Sequence, residues 1–425
     1  TKRKMWSELL SSGNKPTEEE AKALKANFES QCQKAARALE EADVLVVVTG
    51  AGFSADSGLA TYNDVARVPA YQQRDLDYCE ICAPEWLYEE PELFYGFWGQ
   101  CFNDYRSTEP HEGYHILRGW RDAKNAKSAV AKEIQARIAR KVELRRPFED
   151  EIVQRYTPYH TAPNQYAGAF FSFTSNVDAH WYDIVEAHEI HDCHGNIETW
   201  QCSDPYCSAG IWRAPLDHSF EVDRNTMLAP ETKGASKETT ASTQSTPVDN
   251  VAHIGQTKGD ARTHTLRYMP PALNGHGWHQ EEMADSAEAP EKVSNWPKCA
   301  KCKGLARPAI LMFGDFGWKR DVSQGERWSL WEEAVLDMCQ KRSDDEEAAP
   351  LKICIVEIGC GLNVPTCRGA SERMMAQAYN RGGHIKLVRI NPDFPLAADE
   401  DVTEDLIPIM SRGLQAIKQI EELFQ

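Results

Sequence analysis

The feature that most constrains this chain is an apolar strand that runs directly into a glycine turn, DVLVVVTGAGFSADSG, at residues 43–58. Residues 50–55, GAGFSA, fit the pattern G-x-G-x-x-A between that strand and a predicted helix. Such glycines allow a tight turn and a close approach of the backbone to a pyrophosphate, and the helix N-terminus adds N–H groups. An ordinary strand-to-helix turn is the alternative, but the apolar strand before it favours a nucleotide site.

Three further apolar segments have the length of buried strands: AFFSFTSN at 169–176, LKICIVEIG at 351–359 and IKLVRIN at 385–391. Each ends in small or polar residues, and helical patterns separate them. Strands that alternate with helices predict an α/β fold, with a Rossmann-like parallel sheet covered by helices on both faces. No acidic residue stands at the spacing expected for a ribose contact in hydride-transfer enzymes, so the pattern does not indicate redox chemistry.

The organisation of the chain follows from these strands and from two unusual stretches. Residues 121–150 alternate Lys, Ala, Glu and Arg, which is typical of a solvated helical insertion, and residues 229–295 contain few aromatic residues. The predicted units are an N-terminal helical extension (1–43), a first part of the sheet domain (44–200) with a helical insertion (65–160), a small domain (201–303) containing the long insertion 229–295, and a second part of the sheet domain (304–425).

Composition excludes several classes of function. The 425 residues carry a net charge of −18, which disfavours direct nucleic-acid binding, since a phosphate-backbone binder needs a basic face. The longest apolar run, VLVVV at 44–48, has the length of a strand, so no membrane span is predicted. The odd number of cysteines, 13, favours a reducing intracellular compartment, with the cytoplasm ahead of the nucleus or an organelle. The oligomeric state stays open.

Two cysteine pairs indicate a metal site. Cys202-x4-Cys207 and Cys299-x2-Cys302 each lie on a short knuckle-like stretch, QCSDPYCSAG and PKCAKCKG. Four thiolates on two knuckles are typical of structural zinc, whose closed tetrahedron leaves no open position for catalysis. The long insertion accounts for the gap between the pairs. The CxxC of residues 79–82 has no second pair nearby, so unligated cysteines are favoured there.

A histidine-rich stretch, AHEIHDCHGN at 187–196, raises the alternative of a second metal site. A three-histidine site would need His188, His191 and His194 to converge. In an extended segment side chains alternate between faces, and steps of three put His191 opposite its two neighbours. Packing is therefore the favoured role for His191.

Several motifs stand along the chain in this order: GAGFSADSGLATYN, TSNVD, CHGNIETWQC, LARPAILMFGD, IVEIGCGLNVP and RINP, together with the cysteine pairs. They resemble the sirtuins, the NAD-dependent protein deacylases, in the family's order, and most resemble a bacterial-type subgroup with long insertions. With APEWLYEEPELF and PHEGYHIL, the resemblance covers about half of the chain. The resemblance implies a large Rossmann-like domain, a small zinc domain and a cleft that holds NAD and an acylated lysine, with zinc as the structural metal.

Carried over by motif, the resemblance implies roles for particular residues. His194 takes the place of the general base, with Asn176 and Asp178 as further catalytic residues. A neutral imidazole suits removal of a proton from a ribose hydroxyl. Phe313 and Gly314 would pair with the substrate backbone. The implied NAD-binding residues are Gly50, Ala51, Gly52, Ser54, Tyr62, Ser175, Asn176, Asp178, Gly359, Cys360 and Asn391.

The sequence departs from the family pattern at the loop GLATYN, where Asn63 replaces an arginine, and at Cys360-Gly361, where a hydroxyl is lost. Trp98 and Cys101 stand where a branch that removes acidic acyl groups has a tyrosine and an arginine, so an uncharged acyl group is favoured. The leading hypothesis is deacetylase-like transfer of an acyl group from lysine to ADP-ribose with nicotinamide release. An NAD glycohydrolase or protein ADP-ribosyltransferase on the same fold is the alternative. A non-catalytic subunit that binds NAD or ADP-ribose is a third hypothesis.

Overall fold

The computed structural model describes residues 15–65, 67–126, 128–143, 165–234, 293–396 and 404–424. Its strands are β1 (Val44–Thr49), β2 (Phe170–Thr174), β3 (Ile190–Asp192), β4 (Thr199–Cys202), β5 (Ile211–Arg213), β6 (Ala306–Pro308), β7 (Lys352–Ile358), β8 (His384–Ile390) and β9 (Leu406–Ile409). Most of the predicted insertion 229–295 lies outside the described residues, as do residues 144–150 of the charged stretch.

The helices alternate with these strands along most of the chain. They are α1 (Glu18–Ala26), α2 (Phe28–Glu41), α3 (Ala51–Ser54), α4 (Tyr62–Val65), α5 (Pro69–Gln72), α6 (Tyr78–Ile81), α7 (Trp86–Glu89), α8 (Pro91–Ser107), α9 (Glu112–Asn125), α10 (Ala129–Glu143), α11 (Val322–Ser343), α12 (Thr366–Asn380) and α13 (Gly413–Leu423). Short 3₁₀ helices lie at Ala55–Ser57, His180–Asp183 and Ala187–Glu189.

Six strands form one parallel sheet in the order β3-β2-β1-β7-β8-β9. On one side of β1 lie β2 and then β3. On its other side lie β7, β8 and then β9. The direction in which successive strands are added to the sheet therefore reverses between β1 and β7. Doubly wound folds bind ligands at this reversal. The predicted Rossmann-like fold class is confirmed.

Both faces of the sheet are covered, as predicted, and β1 shows why. Leu45 and Val47 pack into one apolar cluster, whereas Val44, Val46 and Val48 pack into the other. Side chains of a strand alternate between faces, so a run of apolar residues with no polar alternation requires a layer of helices on each side. The first cluster holds residues from α2, α9 and α13, and the second holds residues from α10, α11 and α12.

Helix α10 corrects the expectation that residues 121–150 form a solvated insertion. Val130, Ile134 and Ile138 are buried and join the second apolar cluster, with Ala131 buried beside them. These positions recur at the helical period and form one apolar face of the helix. The charged residues between them made this face hard to recognise in the sequence. The charged residues of α10 cover its outer face, so this part of the stretch belongs to the core.

A second sheet of three antiparallel strands, in the order β5-β4-β6, lies beside an aromatic cluster. Trp200 of β4 is 3% exposed and packs with residues of α8 and with Phe220. The Tyr95 hydroxyl of α8 donates to the Ala306 carbonyl at 2.6 Å, which ties this helix to β6. Within the described ranges, no helix combines the length and the apolar character needed to cross a membrane.

Candidate functional site at the carboxyl ends of the central strands

The backbone of the glycine turn packs against the backbone at the end of β7, where the strand order reverses. Gly50 N donates to Ile358 O at 3.0 Å, and Gly52 N donates to Gly359 O at 3.1 Å. A Cβ atom on Gly50 would lie 2.7 Å from Gly359 O, and one on Gly52 would lie 2.8 Å from Gly359 Cα. Gly359 itself has φ of +65°, which disfavours other residues. Glycine is thus required on both strand ends, and Ala51 begins the short helix α3 between them.

A buried polar cluster joins the glycine turn to the end of β2. The Ser54 hydroxyl donates to the Asp178 carboxylate, and Asn176 Nδ2 donates to Ser54 Oγ at 2.9 Å. The Tyr114 hydroxyl of α9 lies 3.3 Å from Ser54 Oγ, and the other Asp178 oxygen accepts from His180 N at 2.9 Å. The structure thus brings together Ser54, Asn176 and Asp178, three of the residues that the family resemblance implies bind NAD.

One atom of this cluster is unsatisfied. Asn176 is 7% exposed, and its Oδ1 is buried without a hydrogen-bond partner among the described residues. Buried acceptors are normally paired, since leaving one unpaired costs about 1–3 kcal/mol. This atom therefore fits a donor supplied by a ligand, such as a hydroxyl or an amide.

His194 lies in the loop after β3, close to the start of α12. Its Nε2 is 3.2 Å from Thr366 Oγ1, and its carbonyl accepts from Leu311 N at 2.8 Å. Gly195 has φ of +73°, and a Cβ there would lie 2.0 Å from Ala309 O, so the glycine after the histidine is required by the backbone. Burial lowers the pKa of His194 below its usual value, opposed by Cys367 and by a backbone hydrogen bond at Ser175. The imidazole is therefore neutral at neutral pH.

His191 has a different environment from His194. It is 6% exposed, and its ring packs edge-on against Phe173 with centroids 5.0 Å apart. Burial lowers its pKa to about 3. Across the part of the chain that the structure describes, only the four zinc-motif cysteines gather as a metal-ligating group. The disfavoured three-histidine site is not formed there.

Three of the remaining predicted nucleotide contacts, Ser175, Cys360 and Asn391, follow β2, β7 and β8. Asn391 Nδ2 donates to Cys360 O at 2.9 Å, which holds the ends of β7 and β8 together. Ser175 N donates to Thr49 O, at the end of β1, at 3.1 Å, which places Ser175 beside the glycine turn. Tyr62 begins helix α4, and its side chain lies outside the described part of the structure.

The four cysteines of the predicted metal site converge beside β4. Their ligand atoms all lie within 4.8 Å of one another, with Cys202 Sγ 3.4 Å from Cys302 Sγ and Cys207 Sγ 3.9 Å from Cys299 Sγ. A tetrahedral zinc ion with Zn–S bonds of about 2.3 Å places sulfur atoms about 3.8 Å apart. Desolvation raises the pKa of Cys299, but backbone and thiol hydrogen bonds outweigh it and lower that pKa to about 7. The group therefore fits zinc.

The segment after β6 carries exposed aromatic side chains. Phe313 is 39% exposed, Phe316 is fully exposed, and Gly314 has φ of +72°. Asp315 forms a two-bonded ion pair with the Arg307 guanidinium at 2.7 and 2.8 Å. Asp315 thus fixes the loop, while Phe313 and Phe316 face outward.

Sequence reasoning missed two residues that touch the site. Tyr114 contacts Ser54, and Thr366 contacts His194. Tyr114 lies in PHEGYHIL, a segment of the family resemblance, but the resemblance implies no role for this tyrosine at the site. Thr366 is the first residue of α12, so its position immediately after Pro365 is a helix-start signal that could have directed attention to it.

No protein-family model matches this sequence, and no curated protein sequence matches it either. The chain is similar to solved structures of Sir2 homologues. The alignment with a crystal structure of a Sir2 homologue in complex with NAD covers 92% of this chain and 93% of the homologue. The sequence identity is 15% and the TM-score is 0.44. A Sir2 complex with a p53 peptide and NAD⁺ covers 91% of this chain and 95% of its own, at 14% identity and a TM-score of 0.42. The fold class stands on the order and direction of the strands.

Proposed function

We propose that this chain is an NAD-dependent protein lysine deacylase of the sirtuin type, which transfers an acyl group from lysine to ADP-ribose and releases nicotinamide. The observation that carries the proposal is the convergence of three features at one edge of the sheet. They are the glycine turn, the polar cluster of Ser54, Asn176 and Asp178, and the loop of His194. The turn lies at the switch point, where doubly wound sheets bind nucleotides.

The residues present fit NAD, because the glycines allow close backbone approach and no described residue donates a hydrogen bond to Asn176 Oδ1. Bound NAD would supply an activated ribose carbon and a nicotinamide leaving group. Ser54, Asn176 and Asp178 would hold the ribose and nicotinamide, while Gly359 and Asn391 would contact the adenosine half.

His194 would act as the general base. With a proton on Nδ1, its Nε2 accepts from the Thr366 hydroxyl, and a ribose hydroxyl at the same place would become the donor instead. The lowered pKa keeps the imidazole unprotonated and able to take that proton. The four cysteines would hold zinc as a structural clamp and take no part in the proton transfer.

The proposed substrate is a protein segment with an acylated lysine. The segment after β6 would contact this substrate, beside the outward-facing Phe313. An uncharged acyl group is favoured, because Trp98 is 3% exposed and belongs to the apolar cluster around α8. An apolar side chain such as Trp98 offers no positive charge to pair with an acidic acyl group.

The test is whether nicotinamide release depends on an acylated peptide. The full chain, loaded with zinc, is incubated with NAD and an acetyl-lysine peptide, with the unacetylated peptide as the blank. We expect nicotinamide release only with the acetylated peptide, and loss of deacylated peptide in His194→Ala. His384→Ala, at an exposed position in β8, is the matched control and should keep wild-type turnover. Release at the same rate without acyl-lysine would favour NAD hydrolysis or ADP-ribosyl transfer instead.

A further inference from the structure

A second group of buried polar side chains lies at the loop that carries His194. It consists of Tyr182 in the 3₁₀ helix His180–Asp183, Asp192 at the end of β3, Asn196 in the loop after β3, and Gln324 in α11. This group, the Asp192 cluster, connects three separate elements to the loop of His194. None of its members takes part in the proposed reaction.

The Asp192 cluster contains a closed ring of three hydrogen bonds. Gln324 Oε1 accepts from Asp192 N at 2.9 Å, and Gln324 Nε2 donates to the Tyr182 hydroxyl at 2.5 Å. The Tyr182 hydroxyl in turn donates to Asp192 Oδ2 at 3.1 Å. A buried polar network whose members are all bonded is rigid, since breaking one bond leaves a partner unpaired away from water. The start of the loop is therefore fixed to α11 and to the 3₁₀ helix.

Asn196 connects the far end of the same loop to Asp192. Its Nδ2 donates to Asp192 Oδ2 at 2.5 Å, and Gly195 N donates to Asp192 O at 3.0 Å. The Asn196 Oδ1 accepts from Glu198 N at 3.0 Å, so both ends of this amide are bonded. His194 lies midway between Asp192 and Asn196 in the sequence. Both ends of its short loop are thus held by one residue.

The side-chain hydrogen bonds at Asp192 do not require a negative charge. Burial raises the pKa of Asp192 to about 7, so the carboxyl group is partly protonated at neutral pH. A proton on the other oxygen leaves Oδ2 able to accept from both Tyr182 and Asn196. The amide of an asparagine would offer the same acceptor, whereas the methyl group of an alanine would offer none.

The position of His194 matters because its ring meets a residue of another element. His194 Nε2 lies 3.2 Å from Thr366 Oγ1 at the start of α12, and the His194 carbonyl accepts from Leu311 N. A general base must lie within hydrogen-bond reach of the proton that it removes, and a displacement of about 1 Å can cost on the order of a hundredfold in rate. Release of the loop from Asp192 would therefore take the ring out of place.

We propose that Asp192 is a positioning residue, which holds the loop of His194 through Asn196 so that the imidazole faces the ribose. Asp192 acts through the loop and does not itself exchange a proton with the ribose. Its effect on turnover rests on the proposed function, whereas its effect on the His194 ring does not.

The first test follows the His194 ring and needs no enzyme activity. Nuclear magnetic resonance of the full zinc-loaded chain with isotope-labelled histidine gives the pKa of each ring, and the signal missing from His194→Gln identifies His194. We expect Asp192→Ala to raise the pKa of His194 toward its usual value of about 6.5, because the ring loses its buried position. Asp192→Asn should keep the wild-type pKa. A wild-type pKa of His194 in Asp192→Ala would overturn the proposal, and so would equal shifts in the two variants.

The second test measures turnover with NAD and the acetyl-lysine peptide. Asp192→Ala should lower kcat by about tenfold to a hundredfold and leave the affinity for ADP-ribose unchanged, while Asp192→Asn should restore kcat. Asn125→Ala is the matched control, because it removes a hydrogen bond from Ala169 N, just before β2, and leaves the loop of His194 untouched. The control should lose stability and keep both kcat and the pKa of His194.

A wild-type kcat in Asp192→Ala, or a loss of ADP-ribose binding in proportion to kcat, contradicts a positioning role. Circular dichroism checks that each variant folds, and Asn196→Ala breaks the same bond from its other side if Asp192→Ala does not fold. A wild-type chain that deacylates no peptide contradicts the proposed function, whereas the pKa of His194 in the variants still decides whether Asp192 positions the ring.

Discussion

The Ser54 hydroxyl donates a hydrogen bond to the carboxylate of Asp178, a residue 124 positions further along the chain. Asn176 Nδ2 donates to the same hydroxyl oxygen at 2.9 Å. The glycine turn after β1 and the loop after β2 are therefore held as one polar unit. A ligand that contacts either loop meets side chains whose positions are already fixed by the other.

Ser54→Ala should weaken ADP-ribose binding and destabilise the fold. The substitution removes the donor to Asp178 and leaves the Asn176 amide without its acceptor, and a buried group left unpaired costs about 1–3 kcal/mol. Isothermal titration with ADP-ribose and urea unfolding measure the two effects. Ser329→Ala, at an exposed position in α11, is the control and should change neither. Wild-type ADP-ribose affinity in Ser54→Ala would show that this cluster is not part of the nucleotide site.

The pH dependence of kcat/KM should report the buried histidine. Burial lowers the pKa of His194, and a general base works in its neutral form, so the rate falls only as the pH drops through that lowered pKa. We expect an acid limb below about pH 6.5, the usual value of a free histidine, and no loss of rate from this group above it. An acid limb centred above pH 7, with the chain folded throughout, is incompatible with this role for His194.

Gly52→Ala should separate the ends of β1 and β7. The added Cβ would lie 2.8 Å from Gly359 Cα, and backbone on both sides cannot yield cheaply. We expect a loss of about 1–3 kcal/mol in the free energy of unfolding, since overpacking forces backbone shifts of this cost, together with weaker ADP-ribose binding.

Gly369→Ala is the matched control for that substitution. Gly369 lies in α12, where an added Cβ meets nothing within 4 Å, so the change should be neutral or stabilise the chain by up to about 1 kcal/mol. Equal effects of the two substitutions on urea unfolding would refute the close-packing argument.

Removal of zinc should disturb His194, the proposed base, as well as the three-stranded sheet. Ala309 N donates to Thr199 O and Leu311 N donates to His194 O, so the segment after β6 connects the cysteine group to the loop of His194. Cys302→Ser should reduce bound zinc from about one ion per chain to near none, lower the melting temperature and lower turnover. Elemental analysis gives the zinc content, and Cys79→Ser, an exposed thiol elsewhere, should retain it. Full zinc occupancy in Cys302→Ser contradicts the four-cysteine assignment.

Features with a local cause could be predicted from the sequence. The glycine turn could be predicted because Gly50 and Gly52 pack against the backbone of Gly359, which leaves no room for a side chain. The cysteine pairs are readable because each knuckle brings two ligands together by itself. The sheet follows from strands whose residues are apolar on both faces.

Features that depend on distant pairs could not be predicted. Tyr114 reaches Ser54 across 60 positions, and Thr366 reaches His194 across 172, so no local pattern marks either contact. The buried face of α10 was missed for another reason, since its charged residues outnumber the few apolar positions that carry the packing. The domain boundaries and the roles of the site residues stay predictions.

The most direct measurement is mass spectrometry of the products formed from NAD and a mixed set of acyl-lysine peptides. The proposed function predicts O-acyl-ADP-ribose, nicotinamide and deacylated peptide in equal amounts, with uncharged acyl groups preferred. Free ADP-ribose with every peptide still acylated, an ADP-ribosylated protein, or intact NAD after long incubation would each contradict it.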